Sequence, residues 1–294
     1  MSSSSDITLG LAAFIDLLGF SDMVKSTQTE KELYRAIEKI EFIKAQFTQT
    51  QKLDTEGEIF HSRRKYFYFS DCIIIDMPDY TPRTETLGSY DAMMGYLREI
   101  AIGQGTCVLE GIFLRGGIGK GFTYSSEDVL VSPSMVKAYD AEKVSCFPII
   151  TFTDEASKYL LNHEGRSAYA PDWDPANISI TDKIMGTDNI ERYYLDYLYI
   201  NIIEANPEFL VEEKIQHDAA HGDEKNDLYW SAKTRGRRKF AKDHGEMVQH
   251  ALAAATSEKV RKKYEWLCSY HNRTVRAYLG DDVDDLLIEV PETA

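Results

Sequence analysis

Apolar residues run almost unbroken from Ile7 to Asp16, the pattern of a buried strand. A Gly19-Phe20 turn follows. Thr29 suits a helix cap, with Glu30 and Glu32 in the first turn, and Leu33, Ile37, Ile40 and Phe47 recur at helical spacing. The pattern therefore predicts an amphipathic helix over about 29–50. Lys65 to Asp76 (KYFYFSDCIIID) is aromatic and β-branched, with one polar break at Ser70-Asp71. It reads as two strands, or one bent strand, with Asp71 at the break. After Pro78 and Pro82, a second helix is expected over roughly 86–109, through Met93, Met94, Leu97 and Ile100, with the two methionines in the core. Phe113 to Phe122 reads as a strand interrupted by Gly116, Gly117, Gly119 and Gly121. A short helix at about 133–145, a strand from Phe147 to Phe152 and a helix at about 153–162 follow.

This order is the α/β (α+β) pattern of a ferredoxin-like sandwich. Residues 164–190 are polar, carry Pro171, Pro175 and Gly186, and read as an insertion loop. Tyr193 to Ile202 suits a strand or a short helix. Met247, Ala251, Leu252 and Ala255 then fit one helix, and Val260, Tyr264, Leu267, Val275 and Leu279 another. The acidic tail, Asp281 to Ala294, is expected to fray. The expected division is a core domain over 1–163 and, over 164–294, an insertion loop with a helical C-terminal extension packed on that core.

Composition narrows the function. Among 294 residues, 33 Lys and Arg stand against 48 Asp and Glu, a formal net charge of −15. Such a field repels DNA and anionic membranes, so no nucleic-acid partner is expected. A small anionic substrate stays compatible, since a few local cations and a metal overcome the global field. The N-terminus has no basic region before an apolar stretch, and no apolar run reaches the roughly 18 residues of a membrane span, so a cytoplasmic protein is expected. Cys72, Cys107, Cys146 and Cys268 are scattered and read as buried, reduced thiols.

Three segments carry candidate chemistry. In Phe14-Ile-Asp-Leu-Leu-Gly-Phe20, a carboxylate ends a strand and a glycine turn offers free amides to phosphate oxygens; Asp16 equally suits a cap for the next helix. In Phe69-Ser-Asp-Cys72, a charge interrupts an apolar stretch; it is either a cation ligand or a hairpin-tip aspartate. Placed side by side, Asp16 and Asp71 would share two divalent cations, and oxygen-only ligation favours Mg²⁺ or Mn²⁺. In Leu114-Arg-Gly-Gly-Ile-Gly-Lys-Gly121, glycines permit close backbone approach, with Arg115 and Lys120 as cations; the spacing is not that of a P-loop, and a glycine-bent core strand is the alternative. Arg235 to Lys239 reads as a solvated loop pairing with local acids. His244, His250 and His271 are expected on helix surfaces. No Ser/His/Asp relay is visible.

The three segments, in this order, resemble class III nucleotide cyclases over about 7–160. Phe-Ile-Asp-Leu-Leu-Gly-Phe, Phe-Ser-Asp, Leu-Arg-Gly-Gly-Ile and the later Lys-Tyr-Glu-Trp-Leu at 263–267 look most like the bacterial pyrimidine cyclases of the Pycsar anti-phage system. The resemblance implies a lyase that converts UTP into 3′,5′-cyclic UMP and pyrophosphate with two ions of Mn²⁺ or Mg²⁺, as a defence signal. Asp16 and Asp71 would be metal ligands, joined by the Leu17 carbonyl. Amides of Gly19 and Phe20 would hold phosphate. Arg115 would be a phosphate-binding or structural cation. The purine enzymes' base-selecting lysine position is here Phe67, so Tyr66, Phe67 and Tyr68 would wall a narrower base pocket, with strand packing as the alternative. Their helix-borne Asn/Arg pair is absent from Val136 to Ala141, and Lys137 is the loosely aligned substitute. A head-to-tail homodimer with two interfacial sites is also implied. The alternatives are a cytidylate or purine cyclase, or a catalytically silent nucleotide-binding domain.

Overall fold

The computed structural model describes residues 7–53, 63–126 and 129–289. Strand β1 (Ile7–Leu17) is central in a six-stranded sheet. Helices α1 (Phe20–Ser26) and α2 (Glu30–Leu53) follow. Helix α2 opens with a capping box: Glu32 N donates to Thr29 Oγ1 (3.3 Å) and Thr29 N donates to Glu32 Oε2 (3.0 Å). Strands β2 (Lys65–Phe69) and β3 (Cys72–Pro78) form a hairpin whose turn puts Ser70 at φ 54°.

The expected helix at 86–109 is two helices, α3 (Pro82–Leu87) and α4 (Ser89–Leu109), broken at Gly88 with φ 88°. Strands β4 (Leu114–Ser125) and β5 (Leu130–Val131), helix α5 (Pro133–Ser145), β6 (Ile150–Phe152) and α6 (Asp154–Leu161) complete the sheet layer. The strand order β2-β3-β1-β4 is antiparallel throughout, and β6 joins β4 in parallel. These are two interleaved βαβ units, the ferredoxin-like sandwich the sequence predicts.

Residues 164–190 are not a plain loop. They hold α7 (Pro175–Ser179) and β7 (Lys183–Met185), which pairs with β8 (Glu191–Tyr193). Buried Asp174 anchors the segment through Tyr90 and Arg166. The first compact unit runs over Met1–Tyr197.

The two faces of the sheet differ. Leu11, Ala13, Ile15, Ile73, Ile75 and Met77 form a buried face. It is covered by the α2/α4 layer, from which Gln104 donates to the Leu114 carbonyl (3.3 Å) and in which Met93 and Met94 are buried. On the other face, α5 lies almost against the backbone of β4. A Cβ at Gly117 would stand 1.9 Å from the Ala138 carbonyl oxygen, and one at Gly119 2.2 Å from that of Ser134. The glycine-rich strand thus serves close helix packing.

The second unit, Leu198–Ala294, holds most of α8 (Tyr197–Glu204), then α9 (Val211–Ala219), α10 (Gly222–Ala253) and α11 (Glu258–Leu279). Residues 235–239 are helical, not a loop, because they fall inside α10; they do pair with acids, Arg235 with Glu213 and Arg238 with Asp285 (2.7 Å). His244 and His271 are fully buried rather than on helix surfaces. Their Nδ1 atoms lie 2.9 Å apart, and His271 Nε2–H donates to the Leu286 carbonyl (2.9 Å). That bond, with Asn272 bridging both polar groups of Ile288, ties down 283–288, which were expected to fray; 290–294 lie outside the described residues. Cys107 and Cys268 are buried, whereas Cys72 and Cys146 are only half-buried; all four are free. No helix among the described residues is long and apolar enough to cross a membrane.

Two predictions follow from this packing. Gly117→Ala drives a methyl into α5 and costs about 3 kcal/mol of unfolding free energy, whereas Gly121→Ala, whose Cβ meets only Ser134 atoms at 3.4 Å or more, costs below about 1 kcal/mol; denaturant melts compare them. Burial holds both histidines below their ordinary pKa, His271 further depressing His244. A lowered folded-state pKa means stability that is full above the ordinary value of about 6.5 and is lost as pH falls through the folded one. Amide exchange over 283–288, corrected for its intrinsic pH dependence, should therefore quicken on acidification below neutrality.

Candidate functional site

The antiparallel register brings the two candidate carboxylates together. Asp16 pairs with Cys72 across β1–β3, and Leu17 N donates to the Asp71 carbonyl (3.2 Å). The end of β1 and the tip of the β2–β3 hairpin are therefore neighbours. Asp16 is raised above the usual carboxylate range, first by burial and further by the charge of Asp71, while hydrogen bonds from Arg115 oppose the rise. Both charges also push the half-buried Cys72 thiol, already raised by desolvation, up to about 11, so it stays protonated and unreactive at neutral pH.

Arg115 lies opposite Asp16 on β4. Its Nε and Nη2 both donate to Asp16 Oδ2, at 3.0 and 2.9 Å. Its Nε also lies 2.6 Å from Oε1 of Glu142, a buried carboxylate on α5. Of the two roles open to Arg115, this placement favours the structural one. Sequence reasoning passed over Glu142. Its signal was a carboxylate in register with Ser134, Ala138 and Ala141, the small-residue face by which α5 meets the sheet. A second missed carboxylate, Asp76, is 2% exposed and accepts from Ser125 Oγ (2.9 Å).

Just beyond Asp16, Gly19 takes φ 83° and opens α1 with no side-chain cap, leaving Phe20 and the turn amides at the strand end. Phe67 shares the Asp16 face, since it pairs with Ile74, which pairs with Phe14. Tyr66 and Tyr68 do not: strand alternation turns them to the α2/α4 layer, where the Arg64 guanidinium lies over the rings of both Tyr66 and Tyr96 of α4 and Lys44 lies over Tyr68. The three aromatics therefore form no common wall. Lys137 is likewise not brought to Asp16. It pairs with Glu155 (2.9 Å) in a cleft of about 550 Å³ between α5, α6 and the β7–β8 hairpin, while Tyr139, on the other flank of α5, packs edge-on against Phe14.

Two carboxylates in mutual repulsion, beside a thiol that stays protonated, suit a hard divalent cation bound through oxygen. No group of three or more His, Cys, Asp or Glu side chains poised for a metal occurs among the described residues, so any cation here would draw on backbone oxygen, water or substrate as well.

The chain matches no protein-family model and no curated protein. Solved structures similar to it include the dimeric guanylyl cyclase domain of the RhoGC fusion protein from the aquatic fungus Blastocladiella emersonii (11% identity, 64% of this chain and 94% of that one, TM-score 0.40). A bacterial light-regulated adenylyl cyclase (13%, 65% and 91%, TM-score 0.38) and the adenylyl cyclase CyaB from P. aeruginosa (10%, 64% and 94%, TM-score 0.37) are also similar.

Mn²⁺ should raise the melting temperature of the parent protein; at a hundredfold excess over its dissociation constant the gain is about 2.7 kcal/mol. In Asp16→Asn and Asp71→Asn the gain should vanish, and calorimetry with and without Mn²⁺ checks it.

Proposed function

We propose that this protein is a nucleotide cyclase, and that its substrate is a pyrimidine triphosphate, UTP first. The observation that carries the reading is the meeting of Asp16 and Asp71 at one end of adjacent strands, beside an uncapped glycine turn. The pyrimidine assignment rests on the sequence resemblance and on Phe67, an aromatic on the Asp16 face where the purine enzymes carry a base-reading lysine.

Asp16, Asp71 and the Leu17 carbonyl would hold Mn²⁺ or Mg²⁺. When bound, the ions supply a lowered pKa for the ribose 3′-hydroxyl and neutralise charge on the phosphates. The chain's residues do the rest. Amides of Gly19 and Phe20 face the phosphate oxygens and fix their position. Arg115 keeps Asp16 Oδ2 engaged, which leaves Oδ1 to turn toward Asp71. Phe67 offers a flat apolar surface to the base. In-line attack of the 3′-oxygen on the α-phosphorus, its proton passing to solvent water, would form the cyclic ester and break the bond to pyrophosphate, which leaves. A head-to-tail homodimer would bring cations to this site from the partner subunit, and the product would act as a signal in anti-phage defence.

Incubation of the purified protein with Mn²⁺ and each of UTP, CTP, ATP and GTP, with mass resolution of the products, tests the reading. Cyclic UMP is expected, and Asp16→Ala or Asp71→Ala should cut turnover at least about a hundredfold. Cyclic CMP or a cyclic purine nucleotide would keep the reaction and change the base. The absence of any cyclic product would leave a nucleotide-binding domain without chemistry.

A further inference from the structure

We infer that Glu142 is a positioning residue for the divalent cation: it neutralises Arg115, so that Asp16 can be oriented by the guanidinium and still bind a metal ion. The inference rests on the reading of Asp16 and Asp71 as the cation's ligands. A lone guanidinium at hydrogen-bond distance from a metal-binding carboxylate is a competitor. It occupies one oxygen and places a positive charge where the cation must sit.

The structure resolves this conflict with a third carboxylate. Glu142 Oε1 lies 2.6 Å from Arg115 Nε, and its side chain is 3% exposed against 28% for Arg115, so Glu142 has little water to screen it from the guanidinium. Three carboxylates, Asp16, Asp71 and Glu142, stand against one guanidinium, Arg115. With all four ionised, the cluster carries a net charge of −2, which one divalent cation cancels. Without Glu142 the cluster falls to −1 and the guanidinium faces the metal position with its full charge. Glu142 need not touch metal or substrate for this; it acts through Arg115. Its place on α5 is set by the glycines of β4, which let the helix descend until residue 142 reaches residue 115.

The test is direct Mn²⁺ binding to the full chain, followed by electron paramagnetic resonance in the absence of nucleotide. Glu142→Gln should weaken binding about 10- to 100-fold relative to the parent. The double variant Glu142→Gln/Arg115→Met removes both charges and returns the cluster to −2, so its affinity should recover about tenfold over Glu142→Gln while staying below the parent's, because Arg115 no longer orients Asp16. Parent-like binding by folded Glu142→Gln overturns the inference while leaving the metal site standing. A parent that binds no Mn²⁺ overturns both. If Glu142→Gln alone does not melt cooperatively, the double variant decides: affinity within about tenfold of the parent's supports the inference, and a greater loss defeats it.

Discussion

The close approach of α5 to β4 is the constraint on which the candidate site depends. With a Cβ at Gly117 only 1.9 Å from the Ala138 carbonyl oxygen, no side chain fits between helix and strand at that point. The helix can descend onto the sheet only because β4 has no side chains at these positions, and its own contact face is Ser134, Ala138 and Ala141. That descent carries Glu142 to Arg115, Arg115 reaches across to Asp16, and Asp16 is thereby fixed beside Asp71. A packing rule and an electrostatic arrangement are thus the same feature seen at two scales. Widening the helix–strand gap would loosen the core and the carboxylate pair together.

Much of this was legible locally. The buried run Ile7–Asp16 and the polar break at Ser70-Asp71 sit within short windows, where apolar continuity and turn chemistry decide the structure. Neighbouring strands in a ferredoxin-like order then leave Asp16 and Asp71 little choice but to meet. Pairings between distant segments were not legible. Glu142 and Arg115 are joined only by the depth of a helix on a sheet. His244 and His271 looked like surface residues because each helix, taken alone, does not show that its neighbour and residues 283–288 will enclose them. Tyr66, Phe67 and Tyr68 are a different case. A period of two already separates Phe67 from the flanking tyrosines, and grouping them as one wall set that alternation aside.

The same geometry bears on how so acidic a chain could hold a triphosphate. Three basic residues on β4 and α5 are candidate cations, and each is already matched to a carboxylate. Arg115 is held by Asp16 and Glu142, Lys120 by Asp79, and Lys137 by Glu155. Recruiting Arg115 to phosphate would leave buried Glu142 uncompensated, at a large penalty, while Lys137 stands in the cleft with Glu155 and is not brought to Asp16. The positive charge a triphosphate needs must therefore come chiefly from elsewhere. Divalent ions, if Asp16 and Asp71 hold them as proposed, and the amides beyond Gly19 would be two sources, and the partner in the proposed homodimer a third. An enzyme built this way would keep little standing affinity for free nucleotide. Its substrate binding would follow the availability of metal, because the cation would complete the charge balance that the carboxylates leave open.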